Sequence, residues 1–264
     1  MSLLSIPRPR RLLAPLAATV VVATPLAVLA LAGLSTAWFF PHAFPDSLTT
    51  EHLSAVIGNS TTRASIATGL RVSTTVTALA LLLSWPASRV LARPHMPGRT
   101  VIVALLFLPS VLPAVGLAMG VDVVLLRLGI AGTHTGVVIA HLVPTIPYAV
   151  AVLTAGFVRH DRRIEAQAAV LGANDWQRLR LVTLPALRST IRVAAALTFV
   201  VSWSQYLLTV LTGSGRVVTI TMLLFSALSG CNPSTIGVLA LITAAPATIL
   251  LVFAGSDSSH GGAS

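Results

Sequence analysis

Side chains able to do covalent or metal chemistry are few and scattered. The seven histidines stand at 42, 52, 95, 134, 141, 160 and 260. His134 and His141 are seven apart and could share one helical face, but no third ligand is spaced to join them, so no metal site is expected. Cys231 stands alone, so no internal disulfide can form. No Ser/His/Asp or Cys/His arrangement suggests a nucleophile. All 17 basic residues are arginine, with no lysine anywhere. A Walker A loop needs a Lys on the β/γ-phosphates, so this chain carries no standard P-loop. If ATP drives its work, another polypeptide binds the nucleotide. The chain is therefore read as non-catalytic, with no metal and no cofactor.

Two polar concentrations remain. One is LGANDWQRLRLVTLP (Leu171 to Pro185), closely preceded by RHDRRIEAQAAV. The other is Ser202, Trp203, Ser204, Gln205 and Tyr206, set in an apolar run. Polar side chains at membrane depth normally face the bundle interior or a water-filled cavity. Hydrogen bonding between helices, without any substrate, is the other role such a cluster can fill.

The elements that must position these residues follow from composition. Of 264 residues, 55% are hydrophobic and 9% charged, against roughly a quarter charged in an ordinary soluble domain. So few charges cannot cover a water-facing surface, and the bilayer is the natural solvent. A span needs about 20 apolar residues. Six are read, at roughly 12–34, 66–91, 101–119, 135–157, 191–211 and 236–254, in one membrane domain covering 1–264, with a cytoplasmic segment at 158–190 and a polar tail at 255–264. The first run exceeds the 7–15 residues of a signal-peptide h-region and is read as a retained span. The third carries Pro109, Pro113, Gly116 and Gly120, and the last two form a G-x-x-x-G that suits close helix contact. Asp122 follows it at the outer surface.

The net charge of +10 could suggest nucleic acid, but no stacking aromatics are interleaved with the arginines and no binding motif is present. The arginines flank the spans instead. Thirteen fall in the N-terminal tail, the second-to-third connection and the fourth-to-fifth connection, against four on the opposite face. By the positive-inside rule the rich face is cytoplasmic and both termini lie there.

The fourth-to-fifth connection has a local grammar. Ile164, Ala168 and Leu171 recur at i, i+4 and i+7, a single apolar stripe on a short helix. Gly172 supplies the left-handed residue that ends it. Asn174 is a fitting N-cap for a second helix, with Asp175 in its first turn. Leu184-Pro185 marks where that helix must yield. A short helix held at a rigid corner can insert into a partner's groove, and an ordinary charged loop is equally compatible with these residues.

The segment resembles the EAA loop of type I ABC importer permeases, the membrane subunits of binding-protein-dependent transporters. Their pattern is E-A-A, three residues, G, nine residues, I-x-L-P. Here nine residues separate Gly172 from Val182-Thr183-Leu184-Pro185, and Ala173, Trp176 and Gln177 also match. The family's Glu falls where this chain has Ala166, and Glu165 sits one residue early. LPSVLPAVGLAMG (Leu108 to Gly120), HLVPTIPYAVAVL (His141 to Leu153) and TFVVSWSQYLLT (Thr198 to Thr209) resemble the third, fourth and fifth spans.

The resemblance implies an all-α, six-span bundle in a bacterial cytoplasmic membrane, with a coupling helix between spans four and five. It implies a dimer of ABC ATPase subunits, a second permease (a sister chain rather than an identical one), an extracytoplasmic binding protein and membrane lipid as partners, and no nucleic acid. The ATPase-coupling residues would be Glu165, Ala168, Leu171, Gly172, Ala173, Asn174, Asp175, Trp176, Leu184 and Pro185. The pathway would involve Ser110, Pro113, Ser202, Trp203, Gln205 and Tyr206. The segment WFFPHAFPDSLTTEHL (Trp38 to Leu53) with SQYLLT looks more like polyamine-, thiamine-, phosphonate- or iron-type systems than sugar systems. A secondary transporter or channel working alone, and a membrane scaffold that transports nothing, are the rivals. The first would need buried ionisable groups for ion coupling, and the middles of these spans show almost none.

Overall fold

The protein is described by a computed structural model, covering residues 10–36, 38, 44–45, 47–230 and 232–256. Arg8, His42, Cys231, His260 and the tail from 257 onward lie outside the described residues, as do parts of the Trp38 to Leu53 segment. Thirteen α-helices are described: α1 (Arg10–Leu34), α2 (Glu51–Gly58), α3 (Ser60–Leu91), α4 (Arg99–Val111), α5 (Ala114–Arg127), α6 (His134–Arg159), α7 (Arg162–Val170), α8 (Asp175–Arg178), α9 (Leu184–Ala186), α10 (Arg188–Trp203), α11 (Leu207–Gly213), α12 (Ile220–Ser229) and α13 (Pro233–Ser256). A π-helical turn, Leu179–Thr183, joins α8 to α9. The expected all-α architecture is what the structure shows.

Among the described residues, α3, α6 and residues 233–250 of α13 are long and apolar enough to cross a membrane. Two bent helix pairs raise that number to five if each pair is one span. The stretch Ala23–Leu34 of α1 is a shorter apolar helix.

The third expected span, 101–119, is not one rod. The helix turns through 101° between α4 and α5, and α5 then runs on to Arg127. Leu112 is extended (ψ 145°) because the ring of Pro113 crowds the preceding residue out of helical geometry. Gly116 and Gly120, expected to sit at a helix contact, face open space within this chain. Asp122, expected at the surface, is half-buried. The fifth expected span, 191–211, is likewise interrupted. Helix α10 ends at Trp203 and α11 begins at Leu207, with Ser204 to Tyr206 between them.

The chain divides into two compact units: Met1–Arg63 with Leu223–Ala244, and Ala64–Met222 with Ala245–Ser264. In the first, Ser234 at the start of α13 donates its hydroxyl to the carbonyl of Ser35 at 2.8 Å. In the second, α6 is the central element, with buried residues from Gly136 to Phe157. Val137 and Val138 pack with Val72, Val76 and Val217, and Ala140 packs with Ala118, Leu125 and Leu208. At the opposite end Phe157 meets Ala92 and Leu187, with the Trp85 ring edge-on to Phe157 at 4.9 Å. Pro144 and Pro147 sit inside α6 without ending it. Membrane helices tolerate proline inside a bundle; the carbonyls left without their usual N–H are those of Ala140 and Val143, and between the two prolines the Thr145 hydroxyl donates to the His141 carbonyl at 2.5 Å.

Helices α6 and α10 approach closely at Gly156. A Cβ added there would lie 2.4 Å from Thr190 Cγ2 and 2.9 Å from its Cβ. Gly156→Ala is expected to cost about 1–3 kcal/mol by overpacking, read as a lower melting temperature of the purified protein. Thr190→Ala added to it should recover only part of the loss, because the Thr190 Cβ itself intrudes.

Candidate functional site

The Arg159–Arg188 connection forms a compact corner. Asp161 caps α7 by accepting from the Arg163 N–H at 2.9 Å. Gly172 takes φ +86°, the left-handed conformation that side-chain-bearing residues avoid. The Gly172 N–H donates to Ala169 O, and the Ala173 N–H donates to Ala168 O, each at 3.0 Å. That bond pair is a Schellman motif, and it satisfies carbonyls the helix end leaves open. Asn174 and Gln177 form a reciprocal capping box: the Gln177 N–H donates to Asn174 Oδ1 at 2.8 Å and the Asn174 N–H to Gln177 Oε1 at 2.9 Å. Arg178 pairs with Asp175 one turn away. The expected roles of Gly172, Asn174 and Asp175 are therefore those the backbone adopts.

Pro185 does not stop the second helix where expected. It has no N–H for the Leu181 carbonyl, and the helix widens into the Leu179–Thr183 π-turn just ahead of it. The chain bends by 73° only after Ala186, on entering α10.

The apolar members of the corner point outward. Val170 is 88% exposed, Leu171 86%, Leu181 70% and Trp176 64%, with Ile164 and Leu184 also exposed. Ala168 and Ala173 are half-buried. The residue turned inward is the acid. Glu165 is buried: Oε2 accepts from Arg89 Nη2 at 2.5 Å, while Oε1 lies 2.8 Å from the donating Thr183 hydroxyl and 3.2 Å from His160 Nε2. Of the periodic stripe, Ile164 and Leu171 are exposed and Ala168 is half-buried, while the exposed Val170, Trp176 and Leu181 lie outside it. The three partners of Glu165 were missed, since Arg89 lies 76 positions away and nothing local announces the pairing.

The residues expected along a pathway separate into two groups. Ser202 and Trp203 are buried. The Trp203 ring lies parallel to Phe199 at 5.8 Å and fills the space beside Gly69, and its carbonyl accepts from the Thr221 hydroxyl at 2.9 Å. Ser202 Oγ and Thr209 Oγ1 each lie 3.0 Å from a ring nitrogen of His141. The hydroxyl hydrogen of Thr209 goes to the Gln205 carbonyl at 2.7 Å, so Thr209 accepts from His141 Nε2–H, and His141 Nδ1 accepts from Ser202. His141 on α6 thus spans the interruption between α10 and α11. The second group lines a cavity of about 180 Å³ beside the two interrupted spans: Ser110, Gln205, Pro109, Pro144, Tyr148 and Leu117 are among its walls, and among the described residues none that lines it is charged. Tyr206 is half-buried, and Pro113 sits at the α4–α5 bend.

Comparison with known proteins places this geometry. The family described as binding-protein-dependent transport system inner membrane component matches residues 80–256. The molybdate/tungstate transport system permease protein WtpB of Thermococcus kodakarensis is 31% identical over 136 residues, which are 51% of this chain and 54% of that protein. The chain therefore spans about half the length of that relative. The putative 2-aminoethylphosphonate transport system permease protein PhnV of Salmonella paratyphi A is 27% identical over 230 residues, 86% of each chain. A crystal structure of a bacterial ABC transporter involved in alginate import superimposes with a TM-score of 0.65 at 15% identity, covering 95% of this chain and 98% of the other; that likeness shows the fold. The matched region takes in α6, the whole corner and the interrupted fifth span, and the chain belongs to the binding-protein-dependent transport system inner membrane component family, whose members are permease subunits of ABC importers.

Proposed function

We propose that this chain forms half of a substrate pathway and is driven through its 158–190 corner by a separate ATPase. The observation that carries this reading is the outward display of Val170, Leu171 and Trp176 on a stiffly capped corner. Apolar groups held rigid and bare to solvent are suited to burial against a partner. Leu171, Gly172, Ala173, Asn174, Asp175 and Trp176 form the docking edge. Leu184 and Pro185 carry its movement into α10. ATP closing the ATPase dimer then shifts a two-state equilibrium of the spans, because the two states differ in how the corner is held.

The remaining assignments follow from this. The corner is cytoplasmic, which with six spans puts both termini there. The 1–264 chain works as one membrane domain beside a sister permease, and an external binding protein delivers the solute. A cleft of about 950 Å³, walled by α3, α10 and the later turns of α13, including Leu70, Leu81 and Phe199, gives the sister chain an apolar face to meet. Ser110 and Gln205 are the side chains offered to solute in the small cavity. The names of relatives that handle molybdate, tungstate and 2-aminoethylphosphonate favour a small oxyanion.

Reconstitution with the products of neighbouring genes decides between this reading and its rivals. ATP-dependent uptake of molybdate or 2-aminoethylphosphonate into vesicles should require the soluble ATPase. Uptake by this chain alone on an ion gradient would instead establish a secondary transporter. A smaller effect is expected at the corner itself. Gly172→Val meets no neighbour but must hold φ +86°, a strain of about 1–2 kcal/mol. ATPase affinity should weaken roughly tenfold if the corner relaxes to avoid it, as read by titration of the purified complex, and Gly172→Asn should weaken it less.

A further inference from the structure

The acid of the docking segment is turned inward and buried. Helix α7 also has little else to hold it: its main backbone packing is on α8 and the π-turn, its own sequence neighbours, and its apolar residues Ile164 and Val170 point to solvent. The Glu165 carboxylate is what reaches further. It is gripped by Arg89 in the last turn of α3 at 2.5 Å, by His160 just past α6 at 3.2 Å, and by Thr183 in the π-turn that leads to α10 at 2.8 Å. The His160 side chain is 5% exposed against 10% for Glu165, while Arg89 is half-exposed. Charge-assisted bonds from three directions fix a carboxylate in position as well as in register, and a buried carboxylate holds its partners because parting from them leaves an uncompensated charge.

We propose that Glu165 is a positioning residue, a strut that makes the docking corner move as one body with the cytoplasmic ends of α3 and α6 and with the π-turn. Without it, a push on the corner reaches the bundle only through its two chain links, His160–Asp161 from α6 and Leu187 into α10. With it, the same push is delivered to three transmembrane helices together. This rests on the docking reading above, and its test separates the two.

Nitroxides are placed at Val90→Cys, beside Arg89, and at Ala169→Cys on α7, in a Cys231→Ser background. Their separation is measured by pulsed electron resonance in the complex with its ATPase, first without nucleotide and then trapped with ATP and vanadate. The strut predicts one narrow distance that stays the same in both states. Glu165→Ala and the near-isosteric Glu165→Gln should each broaden it into several distances, and the exchange Arg89→Glu with Glu165→Arg should restore a narrow one. A structural defect that merely lowers the amount of folded protein would weaken the signal without broadening it. The proposal is overturned if both Glu165 variants keep the narrow distance, or if the unmutated pair separates on trapping. If the ATPase does not bind the unmutated chain, the docking reading fails, and the nucleotide-free comparison still decides the strut.

Discussion

Replacing Val170 and Leu171 together by aspartate should abolish capture of the ATPase while leaving the membrane domain folded. Both side chains are more than four-fifths exposed, so the folded chain loses little when they become polar; surface changes of this kind usually stay within about 0.5 kcal/mol. At an interface the arithmetic reverses. Truncating a central apolar anchor typically costs 2 kcal/mol or more, and burying an unpaired carboxylate adds a desolvation penalty. Two such changes side by side should weaken association by at least about 100-fold. Co-purification of ATPase with the tagged permease reads the loss directly, and an unchanged gel-filtration profile shows that the permease itself survives. Undiminished capture would mean that the corner is a solvated loop.

The second large effect lies within the bundle. His141→Ala should destabilise the protein by roughly 2–4 kcal/mol, because it opens a cavity at a fully buried site and strips both Ser202 and Thr209 of a partner. Ser202→Ala removes one of those bonds, and single interhelical bonds in a membrane protein average only about 0.6 kcal/mol. The ranking is therefore firm: the histidine change exceeds the serine change several-fold. His141→Gln keeps one donor and one acceptor and should recover part of the difference. The ring ties α6 across the Ser204–Tyr206 interruption, so uptake should fall in step with the thermal shift of these variants. Equal melting temperatures for His141→Ala and Ser202→Ala would show that the ring does not bridge that interruption.

Much of the corner was legible in the sequence because its determinants are local. Gly172 ends a helix through its own φ, and Asn174 caps the next through a residue three positions on; such rules need no tertiary information. The all-α membrane character was equally legible, since it follows from how little charge the chain carries. Features set across the fold were not. Nothing in Ser202–Tyr206 announces a broken helix, for there is neither proline nor glycine in it, and the residue that bridges the break is His141 on another span. The Pro109 and Pro113 pair was visible, yet a 101° turn and a widened π-turn before Pro185 are two different responses to a proline, one to its ring and the other to its missing N–H. The direction of Glu165 was hidden for the same reason, its strongest partner being 76 residues away.

Photocrosslinking from the corner tests the central claim most directly. A benzophenone amino acid at Val170, Leu171 or Trp176 in the intact complex should, on irradiation, give an adduct with the ATPase subunit, while the same probe at exposed Met119 on α5 should give none. Adducts absent from all three corner positions, or equally abundant from Met119, would contradict the claim that the ATPase grips this chain at its capped, outward-facing turn.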